Sequence, residues 1–163
     1  MSAILQALAD ILEQETALHS QLLAAAEAKR SAIIQGDLPA METLLAKEQA
    51  LIAEVERAEV ERQRLAAEAR RVLQLSEDAR LSEMIARAPA AEGRQLAAVR
   101  EKLQAVLDKL RQRTRQNGEL LRASIQHIEG FLRTVLEAAD PHPHYDSAGR
   151  RATGPFRLFD RSA

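Results

Sequence analysis

Apolar residues three and four apart run along most of this 163-residue chain, and the pattern is broken decisively only at Gly36-Asp37-Leu38-Pro39 and at Pro89 before it stops at Asp140-Pro141. That spacing matches the turn of an α-helix, so it leaves room for little besides long amphipathic helices. In the first segment it falls on Ile4, Leu8, Ile11, Leu18 and Leu22, with Leu5 and Leu12 beside them. Gly36 can take the left-handed conformation that ends a helix, and Asp37 can cap the next. Pro39 is tolerated in a first turn, whose N–H groups have no intrahelical partner.

The second run carries Met41, Leu44, Leu45, Leu51, Ile52, Val55, Leu65, Ala69, Val72 and Leu73, and no glycine or proline forces a break before Pro89. The third holds Leu96, Val99, Leu103, Val106, Leu110, Leu121, Ile125, Ile128, Leu132 and Val135. The expectation is an all-α chain with helices at about 2–35, 37–87 and 90–139 in one helical domain, 1–139. The two longer helices would each span roughly 75 Å at 1.5 Å per residue. Turning at Pro89, they form an elongated antiparallel hairpin, with Ala138 opposite Ala40 and the first helix alongside. The result is a three-helix, coiled-coil-like bundle. A fresh helix capped by Ser76 is the other possibility, and it slides the third helix by about twelve residues.

Composition supports thin seams rather than a compact core. The only aromatic residues are Phe131, Tyr145, Phe156 and Phe159, and there is no cysteine for a disulfide, a thiolate zinc site or a redox pair. The N-terminal "MSAILQALADILEQE" lacks a basic leader and has acidic residues from Asp10, so it reads as neither signal peptide nor membrane span. The formal net charge of -1 gives no global attraction to nucleic acid or membrane. It is unevenly spread: Met1 to Arg62 has eleven acids and five bases, Arg100 to Arg122 seven bases and three acids. Helices of opposite charge side by side account for this better than an RNA or lipid stripe, because the stretch lacks aromatic residues to stack bases or enter a lipid interface.

Glu15, Glu48, Arg62 and Asn117 interrupt the seams, and "RQRTRQNG", Arg111 to Gly118, has no aliphatic residue. Paired with one another, such groups fix register and orientation. A turn at Pro89 would put Arg113 and Arg115 near Glu59 and Glu61.

Reactive chemistry is sparse. There is no phosphate-binding glycine loop, zinc motif or nucleophile elbow, and no catalytic residue, metal or cofactor is expected. His142-Pro143-His144-Tyr145-Asp146 has metal-binding residue types but no framework to preorganise them. His19 reads as an i,i+4 polar partner of Glu15, since the Glu-x-x-His spacing of di-metal bundles is absent. The residues 140–163, rich in Pro, Gly and Arg, have too little apolar surface for a core and are expected to be a mobile tail.

What stands out is "LLRASIQHIEGFLRTVLEA", Leu120 to Ala138. Leu121, Ile125, Ile128, Leu132 and Val135 would suffice for one seam, yet Leu120, Ser124, Phe131 and Leu136 widen the arc. An arc this broad can bury against two helices of its own bundle or accept a partner's amphipathic helix. The residues leave both readings open.

Four stretches, "ILEQETALHSQLL", "KRSAIIQGDLPAMETLLAKEQALIAEVERAEVER", "QNGELLRASIQHIEGFL" and "YDSAG", together resemble the FlgN-type flagellar export chaperones over nearly the whole chain. The most specific parts are Gly36-Asp37-Leu38, Lys47-Glu48-Gln49 with Arg62, and Asn117 to Leu121. The resemblance implies a cytoplasmic, non-enzymatic protein that binds the C-terminal helical segments of hook-filament junction proteins. It would block their premature assembly and deliver them to the cytosolic domain of the flagellar export gate. It further implies that the C-terminal amphipathic helix, here Leu121, Ile125, Ile128, Phe131, Leu132 and Val135, engages the substrate protein, and that Tyr145 docks at the gate. Neither nucleic acid nor stable membrane insertion is expected. The rival from another class is a coiled-coil scaffold or tether whose seams are all satisfied within itself.

Overall fold

The computed structural model describes residues 3–139, all in helices or short connections with no strand among them. The expected tail, 140–163, including Tyr145, lies outside the described residues. Four helices follow in order: α1 (Ala3–Gln35), α2 (Leu38–Val72), α3 (Leu81–Arg87) and α4 (Ala90–Ala139). The described residues divide into two units, 3–121 and 122–139, where the sequence reading had one helical domain over 1–139.

In the first unit α1 and α2 form the closest pair, an antiparallel hairpin. Its corner is built as the residues dictate. Gly36 has φ 67°, its N–H donates to Ile33 O at 3.3 Å, and the N–H of Asp37 donates to Ala32 O at 3.0 Å, which closes α1 in a Schellman motif. Asp37 Oδ1 then accepts from Ala40 N at 3.1 Å and starts α2. Asp37→Ala removes that acceptor and should lower stability by about 1 kcal/mol. An unchanged midpoint in urea unfolding would refute the cap.

Register is set by two cross-helix ion pairs, Lys29 Nζ to Glu48 Oε1 at 2.7 Å and Arg62 Nε to Glu15 Oε1 at 3.3 Å. The step from Glu15 to Lys29 along α1 is matched by an equal step backwards from Arg62 to Glu48. Alanines line much of the contact: Ala9, Ala25, Ala26, Ala58, Ala66 and Ala69 are all buried. Small residues let helix axes approach closely, and this explains a tight seam in a chain with so few aromatics. Leucines fill the wider end, where Leu5, Leu8, Met84 and Leu96 are the largest fully buried side chains. Full burial of such a side chain contributes about 1.5–3 kcal/mol.

The expected second helix, 37–87, is too long, because α2 stops at Val72. Leu75 N–H donates to Arg70 O at 2.9 Å and Gln74 N–H to Arg71 O at 3.1 Å, with Gln74 at φ 56°. This is a second Schellman motif, with glutamine in the left-handed position that glycine usually fills. Leu73 is buried and Leu75 packs on the core, so apolar burial compensates the unfavourable backbone. The connection is tied down by Arg70 Nε donating to Ala79 O at 2.8 Å. A hydrogen bond from Ser76 holds the Asp78 carboxyl below the usual carboxylate range. Glu83 Oε1 accepts from Arg80 N at 3.0 Å to begin α3.

The shorter α2 changes what the last helix packs against. Gly93 lies against the backbone of α3. Leu96 and Val99 join the core, and further along Arg113 Nη2 comes within 3.7 Å of Glu27 Oε1 while Asn117 Nδ2 donates to Ala26 O at 2.8 Å. Over this stretch α4 therefore runs beside α1 and in the same direction. Within the first unit the expected pairing of α2 and the last helix about Pro89 is replaced by this arrangement. Arg113 meets Glu27 instead of Glu59 or Glu61, and Arg115 pairs with Glu119 of its own helix at 3.8 Å.

Candidate functional site

Of the six residues expected to bind a protein partner, Leu121 closes the first unit, while Ile125, Ile128, Phe131, Leu132 and Val135 lie in the helical part of the second, 122–139. All six are exposed, from 37% for Leu121 to 64% for Phe131. Ile125, Ile128, Leu132 and Val135 are spaced three and four apart and so share one face of α4, with Phe131 at its border. Ser124 and Leu136 are half-buried. Each of these side chains could contribute about 1.5–3 kcal/mol on full burial, so an exposed row of five is a substantial store of binding free energy.

Thr134 Oγ1 donates to Gly130 O at 3.0 Å within the helix, and Gly130 has open space where a side chain would be. Ile125, Ile128, Phe131, Leu132 and Val135 carry no group for covalent chemistry.

The polar seam residues do not assemble a second, reactive site. Glu15 is 3% exposed, and Arg62 lies beside it, but the guanidinium is committed elsewhere: Nε donates to Glu59 Oε2 at 2.8 Å and Nη2 donates to Glu59 Oε1. The 3.3 Å contact from Arg62 to Glu15 Oε1 is not aligned as a hydrogen bond, so that oxygen is buried without one. Burial pushes the Glu15 carboxyl up from 4.5 to about 7, against the attraction of Arg62 and with added repulsion from Glu59. The Arg62 hydrogen bond holds Glu59 below the usual range. His19 Nδ1 contacts the Glu15 carbonyl at 2.7 Å, so its expected pairing is with the backbone of that residue and not its carboxylate. Asn117 Oδ1 is also buried without a partner. Among the described residues no three His, Cys, Asp or Glu side chains are placed to hold a metal ion, and no helix is long and apolar enough to cross a membrane.

Sequence reasoning missed a second exposed row, Leu38, Leu45 and Ile52 on α2. It put Leu45, Ile52 and Val72 on one apolar face with Leu51, Leu65 and Ala69, whereas the first three are exposed and only the last three are buried. The regular seven-residue spacing was the available signal.

Among known families, the family model described as FlgN protein matches residues 1–153 of the 163. Searches of curated proteins and of solved structures give no match. The match runs through the capped corner, the paired seams and the exposed apolar face just described, and on that coverage the chain belongs to the FlgN family of flagellar export chaperones.

Proposed function

We propose that this chaperone works in the cytoplasm on the C-terminal helical segments of hook-filament junction proteins, which it captures on α4, keeps from assembling early and delivers to the cytosolic domain of the export gate. The observation that carries this reading is the exposed row Ile125, Ile128, Phe131, Leu132 and Val135, with Leu121 preceding it. A substrate segment that forms a helix only in its final assembly needs a complementary apolar face beforehand, and long helices without reactive groups suffice to provide one. No catalytic step is involved. Gate docking is assigned to Tyr145, whose ring and hydroxyl suit an interface anchor.

Calorimetry against a junction-protein C-terminal peptide and against the gate domain tests both assignments. Phe131→Ala should weaken the peptide complex at least tenfold, or about 1.4 kcal/mol, while the helical circular dichroism signal survives. Truncation after Ala139 should leave peptide affinity within about threefold and abolish gate binding, with Tyr145→Ala reproducing much of the second loss. Loss of peptide binding with gate binding retained would mean that the two surfaces are assigned the wrong way round. Absence of any mixed complex in light scattering, with self-association alone, would favour the scaffold reading.

A further inference from the structure

Between Leu38 and Ala58, α2 has two apolar faces where a helix of a three-helix bundle needs one. Leu51 and Ala58 are buried in the core. Leu38, Leu45 and Ile52 are 73%, 46% and 47% exposed. A spacing of seven drifts only about 20° per step on an α-helix, so the three make one nearly straight row. This is the geometry of a coiled-coil seam with its partner helix missing.

The charges beside the row are of one sign. Glu42 and Glu56 are exposed on the same side of α2 as the row, with Gln49 between them. Neither acid has an ion-pair partner among the described residues. Glu48, at the inner edge, is already held by Lys29 of α1. Lys47 is the only basic residue of α2 between Leu38 and Glu56, and two residues on from Leu45 it points to nearly the opposite side of the helix.

We propose that this row is a second docking surface, separate from the α4 face, and that its occupant is an amphipathic helix whose apolar row is flanked by lysine or arginine. Side chains flanking a coiled-coil seam select partners by charge, and an acidic border with no base on it favours cationic flanks and disfavours acidic ones. The attraction is between exposed groups, so it weakens as salt is raised.

The probe is a synthetic peptide of about three heptads with leucine at a and d and lysine at e and g. Titrated into the full chain, it should bind, lose affinity with added salt, and bind at least tenfold more tightly than the same peptide with glutamate at e and g. Ile52→Asp and Leu45→Asp, both at exposed positions, should each reduce binding at least tenfold with unchanged helical content. The double change Glu42→Lys, Glu56→Lys should reverse the preference between the peptides while leaving the apolar row intact. Phe131→Asp should leave both the preference for lysine flanks and the loss caused by Ile52→Asp unchanged. The proposal is overturned if the lysine peptide does not bind, if the two peptides bind equally, or if binding is lost in Phe131→Asp and kept in Ile52→Asp. It is equally overturned if Ile52→Asp instead abolishes a dimer of the chain seen by light scattering without peptide, which would make the occupant a second copy.

Discussion

Raising the pH from 5 to 8 should reduce the unfolding free energy of this chaperone by up to about 3 kcal/mol, and Glu15→Gln should remove most of that loss. The cause is the buried Glu15 carboxyl, whose neighbour Arg62 gives its hydrogen bonds to Glu59. In the folded state Glu15 titrates near 7, against 4.5 ordinarily. Between those values the folded chain holds a proton that the unfolded chain has released. Stability from this group is therefore complete below about 4.5 and is lost as pH rises through about 7. Glu59 has the opposite sign: its depressed folded value supplies stability above the unfolded value that is lost as pH falls through it. The two together place the stability maximum on the acid side of neutrality. Urea unfolding at several pH values should show wild type falling through this window, with Glu15→Gln nearly flat and the more stable of the two at pH 8. A wild-type profile that is flat or rising from pH 5 to 8 would mean that Arg62 keeps Glu15 ionised after all.

Gly93→Val should cost about 3 kcal/mol, and Gly93→Ala about 1 kcal/mol after the helix-propensity gain of alanine over glycine is counted. A Cβ at Gly93 would lie 2.9 Å from Ile85 O, a backbone atom that cannot swing away as a side-chain end could. Either substitution must push α4 away from α3 at the place where Met84 and Leu96 are fully buried. Gly118 is the control, since a Cβ there meets nothing within 4 Å, so Gly118→Ala should stabilise by roughly 0.5–1 kcal/mol. Thermal unfolding of the three alanine and valine variants decides the matter. Equal gains from alanine at both glycines would show that α3 does not hold α4 at this distance.

The corner at Gly36-Asp37 was legible because its conformation and its cap depend on residues that few others can replace. The end of α2 was not. There Gln74 takes a left-handed conformation that glutamine adopts only when its surroundings compensate, and those surroundings, the burial of Leu73 and the packing of Leu75, belong to the tertiary structure. The misplacement of Arg113 follows from the same cause. Ending α2 early turns α4 toward α1, and a register argument built on a longer helix gives the arginine the wrong acid. The exposed row on α4 was visible as a surplus of apolar residues, but its exposure was not, since a broad arc can be covered from inside or from outside.

By itself, then, the sequence determined the helical class, the hairpin corner, the polar seam positions and the family, all of which depend on local spacing or on residue types with few substitutes. Only the tertiary structure decided which helix each polar group meets, that Glu15 must share Arg62 with Glu59, and which of two apolar faces on α2 is buried. Helical periodicity fixes which residues share a face but carries no information on which neighbour covers it, because burial depends on where chain connections place the other helices and on how closely alanine lets them approach.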